Sequence, residues 1–84
     1  IPALTAERRK ELVKQASTMA ENARVSIRKI RRDGNDDLKK QQKSGEITED
    51  GLKTETDKLQ KFTDKYIDEI NKIYDAKEKD IMQN

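Results

Sequence analysis

A-R-V-S-I-R-K-I-R-R-D-G-N-D-D, residues 23–37, is the stretch from which the rest of the chain can be read. Ala23, Ile27 and Ile30 recur at the three- and four-residue spacing of one helical face. Arg24, Arg28 and Arg31 follow the same spacing and fall on the neighbouring stripe. A helix here would bury the apolar row and leave the arginines along its rim. The segment carries five cations, Arg24, Arg28, Lys29, Arg31 and Arg32, and no acid before Asp33, although the chain has 19 basic and 17 acidic residues. Four of the five are arginine, whose planar five-donor fork fits phosphate bidentately. Asp33, Asp36 and Asp37 then close the cationic zone.

Outward from this segment the same spacing continues through Leu12, Ala16, Met19, Ala23, Ile27, Ile30, Gly34 and Leu38. The steps of 4, 3, 4, 4, 3, 4, 4 make an 11-residue repeat, which predicts a nearly straight helix with at most a weak right-handed supercoil. Ile1-Pro2-Ala3-Leu4 reads as extended because proline biases its predecessor away from helix. Thr5 is a suitable N-cap, with Glu7 in the first turn. The expected first helix covers residues 6–44, a rod of about 58 Å. Gly34 lies on the register expected to be buried, which points to close approach of another helix rather than to a functional kink. Ser44-Gly45-Glu46 breaks the helix, with Gly45 suited to the left-handed position after a helix end.

A second helix is expected over 48–82, after a connection at 45–47. Thr48 caps it, Glu49 and Asp50 occupy its first turn, and Ile47 with Leu52 form a staple pair. Gly51 stands where a capping box would place Glu or Gln. Leu59, Phe62, Tyr66, Ile70, Ile73, Lys77 and Ile81 repeat the period of the first helix. Matching periods and a short connection give an all-α, long antiparallel two-helix hairpin. Val13, Ala20, Ile67 and Tyr74 widen each apolar stripe beyond what one partner covers, so a third helix is expected, from outside this stretch of chain or from another copy.

Composition narrows the function. Eighty-four residues allow one small domain, and 43% charged against 31% hydrophobic residues leaves periodicity to decide whether it folds. A net charge of +2 favours a localised site over a general polyanion-binding tail. The absence of histidine and cysteine removes the usual neutral-pH bases, nucleophiles and thiolate metal ligands, so no enzyme activity, cofactor or metal is expected. Asp33-Gly34-Asn35-Asp36-Asp37 begins like a calcium loop but has Leu38 and Ser44 where such a loop needs glycine and a bidentate glutamate. No apolar run is long enough for a membrane span or a signal peptide, and the expected setting is soluble and cytoplasmic. The opening Ile1-Pro2, in place of methionine, leads to the expectation of a fragment or a processed product.

Arg9 precedes Arg31 by close to six whole turns, so both are expected on one side of the rod about 33 Å apart. Arg9, Arg24, Arg28 and Arg31 form a long stripe suited to a structured RNA read by its backbone. The competing reading is a solvated rim on a hairpin that self-associates through its open face. Phe62, Tyr66 and Tyr74 are read as packing residues rather than base-stacking ones.

The blocks L-T-A-E-R-R-K-E-L (4–12), A-R-V-S-I-R-K-I-R-R-D-G-N-D (23–36), G-E-I-T-E-D (45–50) and K-E-K-D-I-M (77–82) resemble those of bacterial ribosome recycling factors. The resemblance runs through essentially the whole chain. It implies the last two helices of a three-helix bundle, with the amino-terminal helix and an inserted β-rich domain absent from these 84 residues. It implies Ile1 and Pro2 at the hinge to that domain. It further implies binding to the large ribosomal subunit and its ribosomal RNA, and recycling of post-termination ribosomes together with elongation factor G and GTP hydrolysis. Arg9, Arg28 and Arg31 match the arginines of the family's RNA-contacting face, and Arg24 and Arg32 match its motif. Lys29, Gly34 and Gly51 depart from the family's usual asparagine, alanine or methionine, and acid, differences that bear on helix stability.

Overall fold

The computed structural model describes residues 4–83, so the expected hinge at Ile1 and Pro2 lies outside the described residues. Two helices, α1 (Ala6–Lys43) and α2 (Glu49–Gln83), lie antiparallel, and the described residues contain no strand. The pair is 65 × 15 × 14 Å, with a radius of gyration of 19.1 Å. A compact domain of this length would have a radius of gyration of about 12 Å. The hairpin therefore has a seam rather than a central core.

Local chemistry sets the helix ends. Thr5, extended at φ −71° and ψ 157°, accepts a hydrogen bond on its hydroxyl from the Arg8 amide at 3.0 Å. That satisfies one of the four orphan amides of the first turn. At the other end Ser44, expected inside the helix, is instead its C-cap. Gly45 follows at φ 82°. The Gly45 amide donates to the Gln42 carbonyl at 3.1 Å and the Glu46 amide to the Gln41 carbonyl at 2.9 Å. These are the two bonds of a Schellman ending, which requires the left-handed residue that glycine supplies. Thr48 caps the second helix as expected: its hydroxyl accepts from the Gly51 amide at 2.9 Å, and the helix begins at Glu49, one residue after the expected start.

Packing corrects the expected register. Only Ala20 and Thr63, at 8% and 4% exposure, are buried among the described residues. The sequence period places Ala20 on the uncovered edge and Thr63 on neither stripe. Met19, Ile30, Phe62, Tyr66 and Ile73, all assigned to the buried register, are exposed, with Met19 at 72% and Ile73 at 67%. Two helices meet closest where side chains are small, and the seam takes Ala20, Gly34 and Thr63. A Cβ on Gly34 would stand 2.8 Å from Leu59 Cδ2, so the expected close approach is present and α1 runs unbroken through the glycine. The Thr63 hydroxyl donates to the Leu59 carbonyl at 2.7 Å, which makes its burial inexpensive. Larger apolar residues are displaced to one flank. There they line a groove of ≈ 470 Å³ that includes Leu12, Ala16, Ala23, Ile70, Ile73 and Ile81. Ile27, Ile30, Phe62 and Tyr66 continue the open apolar surface towards the connection.

Candidate nucleic-acid interface

The seam separates two unlike faces. At about 100° per residue, Met19 and Ile30 lie roughly 80–100° to one side of Ala20, while Arg31, Arg24 and Arg28 lie about 20°, 40° and 80° to the other. The apolar groove and the arginine rim therefore occupy opposite flanks of one rod. Five of the basic residues named by sequence differ in what holds them.

Arg9 is half-buried on the seam near the open end of the hairpin, where its Nη1 donates to the Ile81 carbonyl in the last turn of α2. That turn carries no basic residue of its own. A cation against the last carbonyls complements both their unpaired acceptors and the helix dipole. Arg24 is 21% exposed at its side chain; its Nε donates to Asn71 Oδ1 at 2.8 Å and its Nη1 to Glu21 Oε1 at 3.1 Å. Arg28 lies 3.9 Å from the other oxygen of Glu21 and is 43% exposed. Arg31 reaches Gln60 Oε1 at 3.5 Å. Arg32 is exposed, with no ion pair or hydrogen bond from its side chain among the described residues.

The rim thus collects Arg24, Arg28 and Arg31, leaves Arg32 beside it, and engages Arg9 in joining the helices. Arginine has five donors. The contacts of Arg24 and Arg31 consume two and one of them, so both keep free N–H groups towards solvent. Glu21 draws Arg24 and Arg28 towards one anion, although so exposed a pair contributes little stability. Lys10 lies 18 residues before Arg28, five whole turns, and extends the same flank by about 27 Å. That spacing was legible in the sequence. Lys29 instead pairs with Asp33, its Nζ donating at 2.7 Å, and this hydrogen bond lowers the Asp33 pKa below its ordinary 3.8.

The aromatic residues divide as well. Phe62 and Tyr66 stand on the apolar flank, away from the rim, with Lys65 Nζ 5.7 Å from the Tyr66 ring centre. Tyr74 donates its hydroxyl to Glu78 Oε2 at 2.8 Å, and that bond, with some burial, raises its pKa. Asp33–Asp37 lie within α1, and no cluster of three metal-ligating side chains occurs among the described residues. None of the described helices is long and apolar enough to cross a membrane.

Comparison with known proteins gives one consistent result. The family model described as ribosome recycling factor matches residues 1–82. The ribosome-recycling factor of Treponema denticola is 63% identical over 84 residues, all of this chain and 45% of the relative. That of Staphylococcus carnosus is 63% identical over 82 residues, and that of Bacillus subtilis 55% identical over 83, each again across 45% of the relative. The chain therefore spans less than half the length of the curated relatives it matches. Across that length, the helical hairpin and its sequence place this chain in the ribosome recycling factor family.

Proposed function

We propose that this chain is the ribosome-binding helical module of a translation factor that recycles post-termination ribosomes. The rim of Arg24, Arg28 and Arg31, with Arg32 beside it and Arg9 at the far end, docks on ribosomal RNA of the large subunit. In the complete factor, acting with elongation factor G, the docked module takes part in separating the subunits in the cytoplasm. The apolar flank is covered by a further helix of the complete factor, which makes the hairpin two thirds of a three-helix bundle. The chain itself performs no covalent chemistry.

The observation that carries this reading is the segregation of the two faces. A rod with apolar residues on one flank and arginines on the other can bury the first in its own protein while presenting the second to an anion. The rigid spacing of the arginines suits a backbone of fixed geometry, as in folded RNA. Large-subunit binding measured across a salt series tests it: phosphate contacts release counterions, so affinity should fall steeply and linearly on logarithmic axes. Absence of binding at low salt would refute the proposal.

The open groove favours one second reading, a hairpin that pairs with another copy through Met19, Ile30, Phe62 and Ile73. Sedimentation equilibrium distinguishes the two. A stable dimer that leaves the arginines solvated and does not bind the subunit would establish the self-associating form.

A further inference from the structure

Two rim arginines are held from the opposite helix by neutral amides that sequence reading did not single out. Asn71 Oδ1 accepts from Arg24 Nε at 2.8 Å, across 47 residues of chain. Gln60 Oε1 lies 3.5 Å from Arg31 Nη1, and the orientation of that amide is itself fixed, because Gln60 Nε2 donates to Asp64 Oδ1 at 2.9 Å. A carboxamide has one oxygen and one NH₂ group, so committing the nitrogen to Asp64 turns the oxygen towards Arg31.

These contacts have a particular chemical character. An acidic partner would hold a guanidinium equally well but would cancel its charge towards phosphate. A neutral acceptor orients the fork and leaves the charge in place, as at Arg31, which has no acidic partner among the described residues; Arg24 adds the ion pair with Glu21 to its amide contact. Both amides engage an edge of the guanidinium nearest α2, and three donors on Arg24 and four on Arg31 remain for an anion.

We propose that Asn71 and Gln60 are positioning residues of the RNA-binding rim, holding Arg24 and Arg31 in their binding orientation without contacting the RNA themselves. This rests on the RNA-binding reading above. It makes the rim a product of both helices, although all of its cations come from α1. A preset arginine loses less side-chain freedom when it meets its ligand.

The experiment uses the complete factor and large ribosomal subunits, with Kd measured over a salt series for Asn71→Ala, Gln60→Ala, Arg24→Ala, Arg31→Ala and the pair Arg24→Ala/Asn71→Ala. Each amide variant should weaken binding by about 2- to 10-fold, the loss expected when one long side chain must be ordered on binding. Their salt slopes should match the parent's, because no charge is removed. Each arginine variant should weaken binding and reduce the slope by about one. Asn71→Ala should have no further effect once Arg24 is alanine. Parent-like affinity for both amide variants, with weakened arginine variants, would overturn the positioning role and leave the RNA reading standing. An Asn71→Ala loss equally large with and without Arg24 would assign Asn71 to helix packing and overturn it too. Parent-like binding by all the variants would remove the RNA reading and this inference together.

Discussion

Gly34→Ala is the substitution on which opposing terms are most evenly matched. Alanine is favoured over glycine in a helix interior by about 1 kcal/mol, and Gly34 is well inside α1. Against this, the new Cβ would lie 2.8 Å from Leu59 Cδ2, closer than carbon atoms approach. The obstacle is the end of a flexible side chain, and Leu59 borders the open apolar surface with Ile30 and Phe62, so it has room to turn. Turning it away from its preferred rotamer costs about 0.5–1.5 kcal/mol. The expected net effect lies within about 0.5 kcal/mol of zero, far less favourable than propensity alone gives. A cycle with Leu59→Ala separates the terms. Removing the methyl that blocks the site should restore to Gly34→Ala its full stabilisation of about 1 kcal/mol, although Leu59→Ala is itself destabilising. Urea unfolding followed by far-UV circular dichroism measures all four proteins. Additivity of the two substitutions within about 0.3–0.5 kcal/mol would refute the predicted contact between Gly34 and Leu59.

Three further outcomes follow from the same packing and rim. Ala20→Leu should destabilise the hairpin by about 1–3 kcal/mol by overfilling the seam, whereas Met19→Ala, one residue away but exposed, should change stability by under about 0.5 kcal/mol in the isolated chain; thermal melting that ranks them in reverse would return the seam to the register read from sequence. The Tyr74 pKa is raised above its ordinary 10.0, first by its hydrogen bond to Glu78, so its contribution is complete below that value and is lost as pH climbs through the raised one. Tyr74→Phe should therefore flatten the alkaline decline of the melting temperature, and an unchanged decline would show that the bond does not matter in solution. Arg31→Ala should weaken large-subunit binding by about 1.5–3 kcal/mol while Arg31→Lys loses less, since lysine keeps charge without the fork; equal Kd values for all three proteins would identify the rim as merely solvated.

Sequence alone determined the elements of this protein. Local chemistry accounts for that: Thr5 and Thr48 can cap, Gly45 alone among neighbouring residues adopts φ 82° readily, and an 11-residue apolar period is incompatible with strands. Each of these signals is carried by residues within a few positions of one another, and together they yield an antiparallel hairpin. They also bring the arginines of α1 to one side. The partners of those arginines were less legible but not hidden, for a connection centred near Glu46 pairs residue n of α1 with about residue 92 − n of α2. That rule brings Arg31 close to Gln60 and Arg24 within side-chain reach of Asn71.

Only the tertiary structure decided which apolar residues the hairpin buries. The stripe on each helix spans an arc wider than a single neighbouring helix can cover, so its spacing does not say which edge faces the partner. Close packing settles the choice by size. Ala20, Gly34 and Thr63 let the two backbones approach, whereas placing Met19, Ile30, Phe62 or Ile73 between them would hold the helices apart. The same small rotation that brings Ala20 into the seam turns the large apolar residues onto one flank and the arginines onto the other. Periodicity is a property of one helix, but the division of its face is a property of the pair.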